Sequence, residues 1–387
     1  MATKIAFFPV GNGDMTLIQL ESGRTILIDV NIRAAADDPE DPTPDVAKIL
    51  RERLTRDAKG RLFVDAFLLS HPDQDHCARL REHFHLGLPA DWSKTADKIF
   101  IRELWSSPMV FRRASKKHVL CDDAEAFNAE ARRRVKRFRD TKGAVDEGDR
   151  ILILGEDENG KTDDLGDILV KVDEIFAKVN GVVDQSLSTR LLAPLPKSDD
   201  EAEEEELSKN ESSTIVRFSL AAEGNPDAGR YLTGGDAEVG IWERLWDRHK
   251  KRVDWLSYDI LLSPHHCSWH SLSHDSWSEM GEKAKVSDKA RSALAQTRDG
   301  AVVVSSSKPI KDDDNDPPCI RSKREYVAIT NAAKGTFKCV CELPSEDEPD
   351  VLEFEIGQHG PRPKTRLMKA GSVLGPGVVG RQPLAHG

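Results

Sequence analysis

The stretch "FLLSHPDQDHCARL", residues 67–80, decides how this chain folds. An apolar run typical of a buried strand stops abruptly. Two histidines and two aspartates then follow within six residues: His71, Asp73, Asp75 and His76. Four such groups in one turn would repel each other or titrate awkwardly without a cation between them. We therefore predict a metal site at the end of this strand.

Metal-ligand residues also end two later apolar runs. Asp236 closes "YLTGGD", and the pair His265 and His266 closes "ILLSPHH". By itself, an aspartate after a strand is usually a turn residue or a helix cap. A histidine pair alone is more often a surface feature than a ligand pair. Three clusters that each follow a strand are different, because loops on one rim of a sheet are where active sites are usually built. The pattern predicts that all three meet at one metal centre.

Composition limits the class of protein. The chain has 387 residues, 38% of them hydrophobic, and a formal net charge of −11. That charge disfavours broad, non-specific binding to nucleic acid but leaves room for a local basic patch. No apolar stretch approaches the roughly 18 residues of a transmembrane helix, and the N-terminal residues lack the pattern of a signal peptide. The six cysteines form no C-x-x-C pair. We therefore expect a cytoplasmic protein with no disulfide framework and no membrane insertion.

The chain reads as one large domain with charged segments added to it. We predict that the domain covers residues 1–345. Within it, residues 78–150 are expected to form a basic, mainly helical insertion, and residues 198–206 an acidic loop. Residues 358–387 lack periodicity and are rich in Gly and Pro, which indicates a flexible C-terminal tail.

Four motifs in order carry a resemblance to a known family. The cluster H-x-D-x-D-H resembles the H-x-H-x-D-H signature of the metallo-β-lactamase fold. More narrowly, "VGNGDMTLIQL", "LLSHPDQDH", "YLTGGD" and "SPHHCSWHS" are similar to the motifs of the metallo-β-lactamase-like domain of the competence protein ComEC and its stand-alone relatives. The resemblance covers the chain from about residue 4 to about residue 340, apart from the charged insertions. It implies an α/β fold, the αββα sandwich, in which two mixed sheets face each other and helices cover the outside.

The resemblance also implies two divalent metal ions, Zn or Mn, as cofactors. The metal ligands that it implies are His71, Asp73, Asp75, His76, Asp236 and His265. In this scheme Asp236 bridges the two metals and a bridging hydroxide is the nucleophile. His71 and Asp73 serve the first metal, and Asp75, His76 and one histidine of the pair, assigned as His265, serve the second. Asp73 stands where most of the superfamily has His, which makes the site richer in oxygen and favours Mn beside Zn. The predicted catalytic residues are Asp75, Asp236, His266 and His270, the last as a general acid.

Several residues near the motifs keep open roles. Asp14 and Asp29 are expected to accept hydrogen bonds from behind the ligands. Cys267 replaces the usual Gly of the H-H-G-S motif, and is either a soft ligand or a small packed residue. Candidates for a further histidine on the first metal are His83, His85 and His118.

The predicted function is a metal-dependent hydrolase, specifically a phosphodiesterase or nuclease that acts on a nucleic acid or a nucleotide. The metal cluster itself favours hydrolysis, whereas the phosphodiester class follows from the resemblance. Alternatives are a hydrolase of another ester or a lactam, and a regulatory or binding subunit, with a protein partner, of a multi-protein system such as those of phage defence. Helical spacing puts Arg132, Lys136 and Arg139 on one face. That face is either solvated or a contact for a phosphate backbone at the rim of the site.

Overall fold

The computed structural model describes residues 1–108, 120–156, 160–195 and 213–364. In those ranges the strands are β1 (Thr3–Phe7), β2 (Thr16–Gln19), β3 (Thr25–Ile28), β4 (Val30–Asn31), β5 (Phe63–Leu69), β6 (Phe84–His85), β7 (Ile99–Ser106), β8 (Arg150–Leu154), β9 (Leu169–Val170), β10 (Ile175–Phe176), β11 (Lys178–Val179), β12 (Val182–Val183), β13 (Leu187–Ala193), β14 (Ile215–Ala222), β15 (Asn225–Leu232), β16 (Tyr258–Leu262), β17 (Thr297–Ser305), β18 (Thr336–Cys339), β19 (Leu352–Gly357) and β20 (Gly360–Pro363). The α-helices there are α1 (Val46–Arg53), α2 (Gln74–Cys77), α3 (Leu80–His83), α4 (Asp122–Asp140), α5 (Val239–His249), α6 (Trp277–Met280), α7 (Asp288–Leu294) and α8 (Ile320–Ala332).

Two large sheets organise these elements. The first has the order β20-β19-β1-β2-β3-β5-β7-β8-β9, with β6 paired to β7. It is antiparallel up to β3 and parallel from β3 onward. The second has the order β10-β13-β14-β15-β16-β17-β18 and is parallel from β15 onward. In each parallel half the strands end at the same edge, and this is where open α/β sheets build their sites.

The two sheets pack face to face because successive side chains of a strand point to opposite faces of its sheet, so that each sheet offers an apolar face to the other. In β16, Ile260 and Leu262 belong to the core between the sheets, whereas Leu261 belongs to the apolar cluster that includes residues of α5, α7 and α8. Across the interface, the rings of Phe7 and Tyr231 meet edge to face with centroids 5.6 Å apart. Each sheet thus buries one face against the other sheet.

Helices cover the outer faces. The α4 helix carries three acidic residues in its first turn and buries a stripe at helical spacing, which includes Phe127 and Val135. Phe127 packs on Phe67 of β5 with ring centroids 6.1 Å apart. The α1 helix packs in the same apolar cluster as α4 and the first sheet, and α5, α7 and α8 pack on the second sheet. The architecture is therefore the αββα sandwich that the resemblance implies.

Residues 78–150, predicted as a basic, mainly helical insertion, form both helix and strand. It contains α4, but it also supplies β7, which lies between β5 and β8 in the first sheet. The reason is local: "IFIRELWS" is an apolar, β-prone run of eight residues. The segment is therefore part of the sheet as well as a source of charged helix.

Two further predictions concern the chain's charged and terminal segments. The acidic loop 198–206 lies outside the described residues, as does the part of the predicted tail from residue 365 onward. Gly360–Pro363 forms β20, which pairs with β19, and β19 in turn pairs with β1. The first sheet thus extends past residue 345. Among the described helices, none combines the length and the apolar character needed to cross a membrane.

Candidate metal centre

The three predicted clusters meet where parallel strands of both sheets end. Residues 70–76 follow β5 in the first sheet, Asp236 follows β15, and the histidine pair follows β16 in the second. A backbone hydrogen bond joins the two edges there, from Thr214 N, just before β14, to Ser70 O, just after β5, at 2.8 Å. The site therefore lies in the seam between the sheets.

The "TGGD" turn places Asp236 in this seam. A β-carbon on Gly234 would lie 2.8 Å from both Leu262 O and Pro264 Cα, so only glycine lets the turn pass the end of β16. Asp236 N then donates to Ser213 Oγ at 3.1 Å. The carboxylate of Asp236 is buried and its two oxygens face different groups of side chains.

Each oxygen of Asp236 faces its own set of metal-ligating atoms. On the Oδ2 side, His71 Nε2 lies at 3.4 Å and His265 Nε2 at 3.7 Å, and Asp73 Oδ2 lies 3.7 Å from His71 Nε2. On the Oδ1 side the neighbours are His76 Nε2 at 3.0 Å and His266 Nε2 at 3.4 Å, with Asp75 Oδ2 at 3.2 Å from His266 Nε2. A carboxylate that faces two donor sets has the arrangement of a bridging ligand.

These residues fit divalent cations. His71 Nε2, His76 Nε2 and Asp236 Oδ1 are buried and have no hydrogen-bond partner, although their neighbours are close. Four ligands at about 2.0–2.1 Å from a tetrahedral zinc lie roughly 3.3 Å from one another, which is the spacing seen here. The mixture of imidazole and carboxylate suits Zn²⁺ and Mn²⁺. The buried Asp and His group could thus hold metal ions.

Asp29 fixes the orientation of His76. Its Oδ2 lies 2.8 Å from His76 Nδ1, so the other ring nitrogen, Nε2, faces Asp236. Its carboxylate also accepts from Ser70 N at 2.7 Å and from Ser70 Oγ at 2.6 Å. Asp29 adopts a left-handed backbone with φ of 56°, which Asp tolerates better than most residues. A carboxylate behind a ligating histidine sets its tautomer and raises its basicity.

Asp14 stands behind two ligands. Together with His76, Asp236 and His266 it forms a buried group whose ligand atoms lie within 4.8 Å of one another. Its oxygens approach His266 Nδ1 at 3.5 Å and His76 Nδ1 at 3.9 Å, on the side of each ring away from Asp236. A β-carbon on Gly13 would collide with Asn31 Nδ2 at 2.0 Å, so glycine is required for this loop to reach the site. The geometry therefore favours a supporting role for Asp14 over a ligand role.

Without a metal ion, protonated histidines would balance the charge of the buried carboxylates in this cluster. Burial lowers the pKa of His266, but Asp236, Asp14 and Asp75 outweigh it and raise that pKa to about 10. Burial likewise opposes the charged form of His76, yet Asp236, Asp29 and Asp75 raise its pKa well above the usual value. A pocket that holds positive charge this strongly is also one that attracts a metal ion.

The centre is most open to solvent at Asp75. The side chains of His71, His76, Asp236 and His266 are at most 4% exposed, whereas that of Asp75 is 40% exposed. Asp75 therefore stands at the mouth of the site. A substrate can reach the buried donors along this side.

The structure distinguishes the two histidines of the pair. His266 lies with Asp75, His76 and Asp236, in the place that the resemblance gave to His265. His265 instead faces the other oxygen of Asp236, beside His71. It thus occupies the position for which a further histidine was sought.

The other candidate histidines lie away from the centre. His270 is about half exposed, between the buried residues Trp269 and Ser271, and its Nε2 lies 3.9 Å from Asp316 Oδ2. The structure describes no contact between His270 and the metal-ligating cluster, so its role as general acid stays a prediction. His83 lies beside Glu82, and His85 stacks on a phenylalanine ring. His118 lies outside the described residues.

Cys267 belongs to the apolar core on the helical side of the second sheet. It is fully buried, and burial raises the pKa of its thiol well above the usual value. A protonated thiol in an apolar cluster is a packed residue and a poor ligand.

The predicted basic face of α4 carries compensated charges. Lys136 Nζ lies 2.5 Å from Asp140 Oδ2, and Arg139 Nε lies 2.6 Å from Asp164 Oδ2. Surface pairs of this kind leave little net charge for a phosphate backbone. The geometry therefore favours a solvent-exposed face over a contact for a phosphate backbone.

Comparisons with known proteins add little to this geometry. No protein-family profile matches the chain, and no curated protein matches it. Among solved structures, the crystal structure of unliganded yeast PDE1 aligns with 87% of this chain and 97% of that chain, at 11% sequence identity and a TM-score of 0.41. A likeness at that TM-score carries no argument about function. The narrower resemblance to the ComEC domain stays a prediction.

Proposed function

We propose that this chain is a metal-dependent hydrolase that cleaves phosphodiesters. The observation that supports the proposal most is the carboxylate of Asp236, whose two oxygens face two sets of metal-ligating side chains. Such paired sites are common among enzymes that cleave phosphate esters. The class of bond follows from the sequence resemblance, whereas the metal chemistry follows from the donor atoms.

Seven side chains would hold two cations. Those on the Oδ2 side are His71, Asp73 and His265, those on the Oδ1 side are Asp75, His76 and His266, and Asp236 is shared. When bound, two divalent cations of this kind supply a nucleophile at neutral pH and stabilise charge on the attacking and leaving oxygens. Either Zn²⁺ or Mn²⁺ is compatible with the donors.

The chain's own residues orient these donors and control access to them. Asp29 and Ser70 fix the ring of His76, and Asp14 stands behind the ring of His266. Burial of His71, His76 and Asp236 keeps bulk water away from these donors, and Asp75 marks the open side. Electrostatic interactions with a phosphate are stronger in such a partly desolvated site than in water.

Substrate size is the next part of the proposal. The paired charges on α4 argue against a long polyanion lying along that helix. We therefore favour a nucleotide or a short oligonucleotide over a long duplex. Such a substrate needs only the seam between the sheets.

The test is hydrolysis of bis(p-nitrophenyl) phosphate by the purified protein. We expect turnover that a chelator abolishes and that Zn²⁺ or Mn²⁺ restores, and a loss of at least a hundredfold in Asp236→Asn. The matched control is Asp65→Asn. Asp65 is a buried carboxylate of β5, the strand that precedes the first cluster, and it lies four residues before the end of that strand. Chelator-resistant turnover would contradict the proposal. Hydrolysis of a chromogenic β-lactam alone would favour the lactam alternative, and metal binding without any hydrolysis would favour a regulatory subunit.

A further inference from the structure

A groove leads from the open side of the metal centre along the surface. Its cavity has a volume of about 680 Å³, and its wall includes Asp75 and Gln74 at one end. Gly11, Arg33 and Lys308 line the same cavity. The groove is larger than a single phosphate needs, and it begins at the most exposed donor of the centre.

Two cations converge in this groove. A β-carbon on Gly11 would lie 3.5 Å from Arg33 Nη1 and 3.8 Å from Lys308 Cγ, so both side chains flank the same point. Within the part of the chain that the structure describes, neither side chain forms an ion pair. Arg79, on the same wall, is instead paired with Asp37 and Glu82. Arg33 and Lys308 therefore keep their charge available to a ligand.

The backbone holds these two residues in place from both sheets. Lys308 comes shortly after β17 of the second sheet, and its backbone N donates to Asn12 Oδ1 at 3.0 Å. Arg33 comes shortly after β4, and Asn31 of that strand donates from Nδ2 to Asn12 O at 2.8 Å. Asn12 thus ties the two positions together, and its own amide donates to Pro317 O at 2.9 Å. The fold thus fixes the spacing of the two backbone positions from which the cationic side chains extend.

We propose that Arg33 and Lys308 form a second phosphate subsite, so that the substrate is a phosphodiester with a further phosphoryl group close to the scissile one. This inference rests on the proposed function, since the metal centre must hold the scissile phosphate. A guanidinium binds phosphate oxygens in a bidentate manner, and an ammonium adds a compact positive charge. In a chain with a net charge of −11, two cations that have no ion pair among the described residues, beside the mouth of an acidic site, offset the repulsion that a multiply charged anion would meet. A short 5′-phosphorylated oligonucleotide has this chemistry.

The experiment compares two dinucleotides that differ only in the second phosphate. These are d(TpT) and its 5′-phosphorylated form, d(pTpT), and the readout is the ratio of their kcat/KM values. We expect the protein to prefer d(pTpT), and expect Lys308→Gln and Arg33→Gln each to lower the ratio about tenfold, as for loss of one charged hydrogen bond. Lys308→Arg should restore most of the preference. Lys311→Gln removes an exposed lysine of the same loop, paired with Glu346, and should leave the ratio unchanged.

A binding measurement separates this inference from the proposed function. Thymidine 3′,5′-bisphosphate contains no diester, so its affinity relative to thymidine 3′-monophosphate can be measured by calorimetry without turnover. If the protein cleaves no diester but its preference for the bisphosphate depends on Arg33 and Lys308, the subsite stands and the proposed function fails. If it cleaves diesters and both preferences survive the two substitutions, the subsite is wrong and the function stands. Absence of both cleavage and preference overturns both.

Discussion

Asp29→Asn tests how the fold prepares His76 for metal. The substitution preserves the shape of the side chain and, because Asn also tolerates a left-handed backbone, it suits the φ of 56° at this position. It replaces one carboxylate oxygen, a hydrogen-bond acceptor, with an NH₂ group, a hydrogen-bond donor. An amide NH₂ directed at His76 Nδ1 would favour the tautomer with its proton on Nε2, the nitrogen that faces Asp236. The reversed amide would instead direct NH₂ at the donating backbone N of Ser70.

The expected magnitude follows from this conflict. Loss of a carboxylate behind a ligating histidine typically weakens metal affinity by about 10–100-fold. That range corresponds to about 1.4–2.8 kcal/mol. No metal ligand is removed, so both donor sets keep all their atoms. We therefore expect weaker binding of the cation at the His76 position with an unchanged number of sites at saturating metal.

The assay is competition with a chromophoric chelator for Zn²⁺, performed on metal-depleted protein. Circular dichroism of each variant checks that the fold is retained. Asp65→Asn is the control, since Asp65 is a buried carboxylate that accepts from Thr25 N at 2.9 Å and pairs with Arg102 at 2.9 Å. It lies four residues before the end of β5, about 13 Å from that end at the rise of a strand, and the site begins beyond the end. Asp65→Asn should lower stability and leave Zn²⁺ affinity within twofold. Wild-type affinity in folded Asp29→Asn would refute the reasoning.

Three further outcomes are expected. His266→Ala should weaken metal binding more than His265→Ala, because His266 is fully buried beside two carboxylates while His265 is partly exposed. The measurement is a titration of metal stoichiometry, and an equal loss of bound metal in the two variants would contradict this prediction. Glu130→Gln should lower the free energy of unfolding by about 3–5 kcal/mol, because it leaves the guanidinium of buried Arg134 without its carboxylate. Burial would raise the pKa of Glu130, but Arg133 and Arg134 outweigh it and lower that pKa. The difference from wild type in urea unfolding should therefore be constant above about pH 5 and narrow as the pH falls below about 4. Last, saturating Zn²⁺ should stabilise metal-depleted protein by about 4 kcal/mol at a thousandfold excess over its dissociation constant, visible as a higher Tm; an unchanged Tm would mean that no folded site is filled.

The sequence predicted that the three clusters come together because the rule behind this prediction is geometric. Polar residues that follow apolar runs lie at the carboxyl edge of parallel strands, and this edge collects them wherever the strands lie in the chain. His71, Asp236 and His266 are far apart in sequence, yet the ends of β5, β15 and β16 bring them together. Spacing alone could not say which histidine of the pair goes where. Both adopt left-handed backbones, with φ of 49° and 53°, and this turn sends the adjacent rings to opposite oxygens of Asp236.

Long-range partners were the part that the sequence could not supply. The sequence left the basic residues of α4 open between a solvated face and a phosphate contact, because helical periodicity shows which residues share a face and not what lies opposite it. Asp164, which pairs with Arg139, is 25 residues further along the chain. The β-prone run of β7 was readable in the sequence, but its place between β5 and β8 is set by pairing with distant residues.

The distribution of ligands over the two sheets has a consequence for how the site works. Neither donor set is complete within one sheet, because residues 70–76 come from the first and Asp236 with the histidine pair from the second. The distances between donors therefore depend on how the sheets are docked, which is set by apolar contacts such as that between Phe7 and Tyr231. A cation bound in this seam would join the sheets, so its binding energy would add to the stability of the sandwich. The same seam places Arg33 after β4 and Lys308 after β17, on either side of the groove. Correct docking of the sheets thus assembles the donors and the proposed phosphate subsite in a single step.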